Sequence, residues 1–229
     1  MKTYRAVVAE FVGTAFLLAA VVGSGIMAQR LCGGNVGLAL LANALATGGA
    51  LVALIIAFGS VSGAHFNPVV TLASALRDKN WSIVLPYVCA QLLGALAGTA
   101  LANLMFGLPA FAVSHHERSG AAMVVSEFVA TFGLLAVIWG CARSRPDAAP
   151  YAVAAYIVGA YWFTPSTSFA NPAVAIARSL TDTFSGIRPI DVPPFVLAQI
   201  AGGIAATLLF VWFGMRADES VVVPQTEAA

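Results

Sequence analysis

Two short stretches of this sequence are the strongest indication of its fold: Asn67-Pro68-Val69 and, much later in the chain, Asn171-Pro172-Ala173. Each lies in a long apolar context. Asparagine is a good helix N-cap and proline suits the first helical turn, so each copy predicts the start of a short half-helix. Such a half-helix would begin inside the apolar layer, with its positive end and an amide donor directed inward. Two of them meeting at one depth are expected to form a polar waist that repels cations.

The composition indicates an integral membrane protein. Hydrophobic residues make up 60% of the 229 residues, charged residues only 9%, and the mean hydropathy is +0.89. Soluble domains carry about 25% charged residues. The N-terminal apolar run is interpreted as a span rather than a signal peptide, since Glu10 lies within it and no cleavage site is evident. Allowing roughly 20 apolar residues per span, the sequence predicts spans at 5–28, 37–60, 82–106, 120–142, 149–165 and 192–215.

One order of polar residues recurs in the two halves of the chain. The order is Glu, Asn-Pro, Gln, and it is carried by Glu10, Asn67, Gln91, Glu127, Asn171 and Gln199. Each half holds an odd number of spans, so the second copy must be inverted relative to the first. Inverted repeats with helices broken at the midplane are a transport architecture. We therefore predict one all-α membrane domain over 1–229, with six transmembrane helices, two half-helices, and inverted repeats at approximately 5–107 and 120–216.

The residues around both half-helices resemble the aquaporin, or major intrinsic protein, family. The first stretch is similar to the family signature S-G-x-H-x-N-P-A-V-T, with Val69 in place of the usual alanine, and it reads Ser62-Gly63-Ala64-His65-Phe66-Asn67-Pro68-Val69-Val70-Thr71. The resemblance covers essentially the whole chain. It implies a passive, non-enzymatic channel with one pore per subunit, assembled as a homotetramer. It also implies that Asn67 and Asn171 line a waist that excludes protons while neutral solutes pass.

Polar residues inside the spans allow a structural and a functional interpretation. Intramembrane carboxylates such as Glu10 and Glu127 are candidates for a proton relay, but their duplicated positions favour buried acceptors that hold irregular loops. Gln91 and Gln199 are expected to make interhelical hydrogen bonds. His65 belongs to the family motif, where it lines the cytoplasmic approach to the pore. A role of His65 in pH gating is the less favoured alternative.

The sequence contains no cofactor, metal or nucleophile motif, and no enzyme activity is predicted. Cys32, Cys89 and Cys141 have neither disulfide nor metal-ligand spacing. For the stretch His115-His116-Glu117, a solvated loop is favoured over a regulatory metal site. The formal net charge of +1 gives no indication of a nucleic-acid partner.

By resemblance, the outer constriction of the family determines which solutes pass. Carried over by spacing from the two asparagines, its contributors fall on Thr47, Gly159, Ser168 and Val174. Water-selective members place Phe, His, a small residue and Arg there, and glycerol facilitators place Trp, Gly, Phe and Arg. Val174 departs most from these two patterns, which both have arginine at this position, because valine neither donates a hydrogen bond nor carries charge. The predicted mouth is therefore wider and more apolar, which disfavours a water-only pore.

Arg178 lies one helical turn beyond Val174, and helical side chains lean back toward the N-terminus. The axial gap of about 6 Å is within reach of an extended arginine. Two roles stay open for Arg178: partial compensation for the missing filter arginine, or a vestibule and loop anchor.

A filter with valine, threonine and glycine resembles the bacterial aquaporin branch associated with arsenic resistance. That resemblance implies flux of neutral arsenite, As(OH)3, and of methylated arsenicals or antimonite, with glycerol and water. One alternative is a general water and glycerol facilitator without a metalloid role. A secondary transporter is another, but it would need an ion-coupling site, and the predicted pore walls offer no carboxylate besides the structural Glu10 and Glu127. A structural membrane protein with an occluded pore is a third.

The placement of basic residues predicts a multi-pass protein of the cell membrane with both termini in the cytoplasm. In that orientation the cytoplasmic basic residues are Lys2, Arg5, Arg77, Lys79, Arg143, Arg145 and Arg216. The external ones are Arg30, Arg118, Arg178 and Arg188.

Overall fold

The computed structural model describes residues 2–214, and this part of the chain is all-helical. The helices, in chain order, are α1 (Lys2–Leu31), α2 (Val36–Ser62), α3 (Pro68–Asp78), α4 (Val84–Met105), α5 (Ala121–Ser144), α6 (Ala149–Phe163), α7 (Pro172–Arg178) and α8 (Val192–Trp212). Met215, with which the predicted sixth span ends, and Arg216, counted among the cytoplasmic charges, lie outside the described residues. The predicted all-α architecture of long helices and two half-helices is confirmed.

Five helices of the described range are long and apolar enough to cross a membrane: α1, α2, α4, α5 and α8. Helix α6 takes the place of the fifth predicted span, but it has 15 residues and is therefore only about 22 Å long. It ends at Phe163 rather than at 165. The reason is Pro165, because a residue that precedes proline avoids helical geometry, and Thr164 is extended at φ −117° and ψ 130°.

Both half-helices begin where the two Asn-Pro pairs predict. The side chain of Asn67 accepts a hydrogen bond from the backbone N–H of Val69 at 2.9 Å, and that of Asn171 accepts one from Ala173 at 3.0 Å. The prolines occupy the first helical turn, where no backbone donor is needed. Helices α3 and α7 contact each other, and both pack against α4 and α8.

The inverted repeat is visible in how the long helices pack. Helix α1 packs against α4 and α2, and α5 packs in the same way against α8 and α6. A Cβ atom on Gly94 of α4 would lie 2.3 Å from the carbonyl oxygen of Phe11 on α1. A Cβ atom on Gly202 of α8 would lie 2.4 Å from the carbonyl oxygen of Phe128 on α5. Small residues thus permit the same close helix approach in both halves.

Candidate pore

A cavity of about 510 Å³ extends through the bundle between the two halves. At one end, here called the α3 mouth, it is lined by His65, Arg77 and Asp147. Asn67 and Asn171 line its middle. The residues of the other end, here called the α7 mouth, are Thr47, Tyr161, Ser168, Phe169, Val174 and Arg178. The walls between are mostly aliphatic.

The two half-helices are tied together across the middle of the cavity. The Asn67 amide donates to the carbonyl oxygen of Ala170 at 2.7 Å, and the Asn171 amide donates to that of Phe66 at 2.8 Å. A primary amide has two N–H donors, and its oxygen is used here in capping the half-helix. Each asparagine therefore keeps one N–H donor for the lumen.

The loops that enter the half-helices contain left-handed residues that are not glycine. Ala64 and Phe66 have φ of 49° and 47°, and Ser168 and Ala170 have φ of 51° and 49°. Each such residue costs on the order of 1–3 kcal/mol. The strain occurs at equivalent positions of the two repeats, so the surrounding structure must hold both loops.

Glu10 holds the first loop from beneath. Its carboxylate accepts hydrogen bonds from the backbone N–H groups of His65 at 3.0 Å and Phe66 at 2.7 Å. The hydroxyl of Ser62 donates to it at 2.6 Å, and the amide of Gln91 at 2.7 Å. Glu10 is fully buried and is not among the residues that line the cavity.

Glu127 repeats this arrangement beneath the second loop. The backbone N–H groups of Phe169 and Ala170 each donate to its carboxylate at 2.9 Å. The amide of Gln199 donates at 2.6 Å. Glu127 is likewise fully buried and away from the cavity.

The same loops present acceptors to the cavity. Within the described residues, the backbone carbonyls of residues 63–65, Ser168 and Phe169 have no hydrogen-bond donor, and these residues line the cavity. Unpaired backbone groups are tolerated at membrane depth where they line a water-filled path. A row of acceptors therefore leads to the asparagine donors from each side.

At the α3 mouth, His65 is held by its neighbours. Its Nδ1 lies 3.1 Å from Oγ1 of Thr71, and its ring packs edge-on against Tyr87 with 5.5 Å between centroids. Asp147 also lines this mouth, where it pairs with Arg145 at 3.4 Å. The expectation that the pore walls hold no carboxylate besides the two glutamates is therefore wrong at this end.

The α7 mouth departs from the predicted constriction at one position. Thr47, Ser168 and Val174 line the cavity, but Gly159 is exposed on the outer surface of α6 and does not. Tyr161 lines it instead, with its hydroxyl oxygen 3.2 Å from Oγ1 of Thr47.

The physical reason for this correction is the phase of α6. The cavity-lining face of this helix carries Val153, Ile157 and Tyr161, four residues apart, and Gly159 points the opposite way. Counting back from Asn171 crosses the non-helical segment 164–171. The conformation of that segment, rather than the number of residues, sets which face of α6 is turned inward.

Two buried arginines meet the ring of Phe169 at the α7 mouth. The Cζ of Arg178 lies 3.5 Å from the ring centroid and that of Arg118 lies 5.0 Å away. Arg178 donates through Nε to the carbonyl of Ser185. Arg118 donates through Nε to the carbonyl of Gly186 at 2.8 Å. Burial in this loop lowers the pKa of Arg118 to about 10, so Arg118 stays charged at neutral pH.

The loop that carries Arg118 is fastened to the segment after α7. Its backbone pairs with that segment through Ala112 to Leu180, Ser114 to Ser179 and Arg188 to His116. The exposed ring of His115 lies 3.0 Å from the carboxylate of Asp182. Hydrogen bonds from the backbone and ring of His115 lower the pKa of Asp182.

Comparison with known proteins identifies the family. The model of the major intrinsic protein family matches residues 1–167. The chain belongs to the major intrinsic protein family.

Relatives are found among bacterial and plant proteins. Aquaglyceroporin AqpS of Rhizobium meliloti (strain 1021) is 54% identical over 209 residues, 91% of this chain and 89% of that protein. Aquaporin NIP1-1 of Oryza sativa subsp. japonica is 33% identical over 213 residues, 87% of this chain and 70% of that protein. The X-ray structure of the aquaglyceroporin from Plasmodium falciparum shares the fold, with a TM-score of 0.69, 20% identity and coverage of 97% and 98%. The chain is thus a non-enzymatic, multi-pass membrane channel.

Val69 departs from the major intrinsic protein signature, and the glycine at position 203 leaves room for its larger side chain. Val69, which stands where the family has alanine, is buried against α8 and is not among the cavity-lining residues. Its extra carbon atoms fit because residue 203 is glycine, where a Cβ atom would lie only 2.2 Å from Cγ1 of Val69. Pro68, Pro172 and Ala173 also lie away from the lumen.

Sequence reasoning missed Tyr161 and Phe169 at the α7 mouth of this family member. It also missed Arg118, which packs against Phe169 without lining the cavity. Tyr161 could have been found by continuing the four-residue spacing of the apolar face of α6. Arg118 had no local signal, because its position comes from a loop that packs on a distant segment.

Proposed function

We propose that this chain is a passive channel for small, neutral, polyhydroxylated solutes, namely glycerol-like polyols and arsenite, with methylated arsenicals and water as further permeants. The observation that carries this proposal is the α7 mouth, where Val174 lines the lumen in place of the arginine that the family motif has there. An uncharged valine leaves room and an apolar wall beside the polar path.

The waist supports passage of neutral hydroxylated solutes. Asn67 and Asn171 each offer one N–H donor, and the loop carbonyls offer acceptors on either side. A solute with several hydroxyl groups exchanges its hydration for these groups in turn. The N-termini of α3 and α7 face the same point, so their positive ends oppose an excess proton or another cation.

The constriction consists of Thr47, Ser168 and Val174, with Tyr161 in the place expected for Gly159. Arsenious acid is uncharged near neutral pH and resembles glycerol in its hydroxyl groups, so one path serves both. Methyl groups on arsenic suit the wall formed by Val174. The description of the 54% identical relative as an aquaglyceroporin supports the polyol part of the proposal.

The remaining parts of the proposal concern the whole protein. Glu10, Glu127, Gln91 and Gln199 have structural roles in holding the pore loops, and His65 lines the cytoplasmic approach. The chain forms a single channel domain over 1–229, with repeats at 5–107 and 120–216. It assembles as a homotetramer in the cell membrane, with both termini in the cytoplasm.

The decisive experiment is Val174→Arg in proteoliposomes with equal amounts of channel. The guanidinium group would extend into the mouth and remove the apolar wall. We expect water permeability to fall least, arsenite permeability to fall more, and permeability to a methylated arsenical to fall most. Stopped-flow light scattering and arsenic uptake measure the three rates.

Val174→Leu is the matched control, because it adds a carbon atom without charge and should change the ratios little. An unchanged ratio of water to arsenical permeability in Val174→Arg would mean that position 174 does not limit passage. Wild-type channel that conducts water and glycerol but no arsenical would favour the general facilitator.

A further inference from the structure

We infer that Arg178 is a specificity-determining residue of this channel. Its terminal guanidinium nitrogens face the lumen at the α7 mouth, where they supply the hydrogen-bond donors and the positive charge that position 174 lacks. This inference rests on the proposed function, since it concerns how the same mouth selects its solutes.

The contacts of Arg178 leave one edge of its guanidinium group for the lumen. Phe169 covers one face at 3.5 Å, and Nε is engaged by the carbonyl of Ser185. Arg178 is only 2% exposed, yet it lines the cavity. Within the described residues, its two terminal nitrogens have no hydrogen-bond acceptor. A guanidinium group has five N–H donors, so those on the terminal nitrogens are available to a solute.

The support behind Arg178 is rigid. The hydroxyl of Ser185 donates to the carbonyl oxygen of Val21 on α1 at 3.1 Å, and Asn43 on α2 donates to the same oxygen at 2.8 Å. The Ser185 segment approaches α1 so closely that a Cβ atom on Gly25 would lie 2.3 Å from Oγ of Ser185. The carbonyl that holds Arg178 is therefore fixed against two long helices.

The positive charge at this mouth is not neutralised locally. Among the ion pairs of the described residues, none joins a carboxylate to Arg118 or Arg178. Both guanidinium groups lie by the ring of Phe169. A positive group beside a narrow path of low dielectric constant repels cations strongly.

The displacement of the arginine by one turn makes the mouth two-sided. Arg178 offers donors, and Val174 offers an apolar wall at the position where the family motif has charge. A solute with hydroxyl groups on one side and a methyl group on the other can hydrogen-bond to Arg178 while its methyl group contacts Val174. With Arg178 one turn away from Val174, the mouth can admit solutes with methyl groups and still exclude cations.

The test is cysteine replacement in a background in which Cys32, Cys89 and Cys141 are serine. Arg178→Cys should raise proton and potassium leak into vesicles by about tenfold or more, because a lumen charge is lost. Aminoethyl methanethiosulfonate forms a mixed disulfide with the new thiol and returns a positive charge. We expect this reagent to restore the tightness to cations.

Ser179→Cys is the matched control. Ser179 is the next residue, is buried to 8% exposure, and is not among the residues that line the cavity. We expect neither a leak nor an effect of the reagent. Arg178→Lys is a second variant, which keeps the charge without the Nε contact, and it should stay tight to cations while its ratio of glycerol to water permeability changes.

The inference is overturned if Arg178→Cys stays tight, if the reagent does not restore tightness, or if Arg178→Lys leaks. If Arg178→Cys fails to insert, the Arg178→Lys result decides. Wild-type channel that conducts water but neither glycerol nor arsenite would contradict the proposed function while leaving the cation results for Arg178 valid. Normal glycerol and arsenite flux together with an Arg178→Cys variant that admits no cations would support the proposed function and contradict the inference on Arg178.

Discussion

Single buried carboxylates hold the strained loops of the pore. Glu10 and Glu127 each accept two backbone N–H groups and one glutamine amide. The residues so held include Phe66 and Ala170, which are left-handed and whose carbonyls receive the crossed asparagine bonds. The carboxylates therefore act on the lumen through the backbone.

The first prediction concerns Glu10→Gln and Glu127→Gln. Each change replaces one carboxylate oxygen with an NH2 group that faces other donors. Hydrogen bonds to a charged group contribute about 1.5–3 kcal/mol each, so we expect each variant to lose about 2–4 kcal/mol of stability. Thermal unfolding in detergent measures the loss as a lower Tm.

Thr14→Val is the control for Glu10→Gln, because the Thr14 hydroxyl is buried without a hydrogen-bond partner among the described residues. Its removal should leave Tm unchanged or higher. A Glu10→Gln protein with wild-type Tm but altered proton flux would support the proton-relay interpretation instead.

The second prediction concerns the contact of Val69 with Gly203. Gly203→Ala places a Cβ atom where only 2.2 Å separates it from Val69, and overpacking costs about 1–3 kcal/mol. Val69→Ala in the same chain removes the clash and should recover most of the stability. A double-mutant cycle in Tm measures this coupling, and purely additive effects would show that the two side chains do not compete for space.

Among whole helices, close approach in the pairs α1–α4 and α5–α8 depends on small residues. Gly94 and Gly202 occupy equivalent places in the two repeats, and in each case a backbone carbonyl of the neighbouring helix lies where a Cβ atom would go. Backbone cannot move aside as the end of a flexible side chain can. Helix spacing in both halves thereby depends on these glycines, and in the first half also on Gly98, where a Cβ atom would lie 2.0 Å from the carbonyl oxygen of Ala15.

The third prediction is that Gly94→Ala and Gly202→Ala are both destabilising, by about 1–3 kcal/mol. Gly49 on α2 is the control, since no atom lies within 4 Å of the place that a Cβ atom on this residue would occupy. Alanine at position 49 should therefore stabilise the helix by about 0.5–1 kcal/mol. Folded yield and Tm in detergent compare the three variants. Equal changes in Tm and folded yield in all three variants would contradict close packing at Gly94 and Gly202.

Considered as a whole molecule, the protein places its charges away from the middle of the pore. The buried glutamates lie behind the loops, and Asp147 and Arg77 are at the α3 mouth. Among the described residues that line the cavity, Asp147 is the single carboxylate. It is exposed and paired with Arg145, which is a poor arrangement for binding a coupling ion.

The fourth prediction follows from this distribution of charge. Solute uptake should follow the solute gradient and be indifferent to sodium and proton gradients, in wild type and in Asp147→Asn alike. Uptake of glycerol into proteoliposomes under imposed ion gradients measures this. Steady-state accumulation that depends on either ion would favour the secondary transporter.

Patterns along the chain were sufficient to predict the membrane class, the two half-helices, and the recurrence of Glu10, Gln91, Glu127 and Gln199. These features are local or periodic: hydropathy over a span, an N-cap followed by proline, and one order of polar residues in each half. Each depends on the residues of one span or one turn, or on their order along the chain, and not on which distant segments pack together. The starts of α3 and α7 could therefore be predicted without knowledge of the tertiary structure.

Spacing along the chain placed Thr47, Ser168 and Val174 at the α7 mouth, but which residues of α6 and which arginines join them there could be established only from the packed structure. The non-helical segment 164–171 turns α6 so that Tyr161 faces inward and Gly159 outward, and residue counting contains no information about that rotation. Arg118 reaches Phe169 because its loop pairs with the segment after α7. Arg178 faces the lumen because Ser185 is fixed on α1. These placements depend on packing between distant segments, which local sequence patterns do not specify.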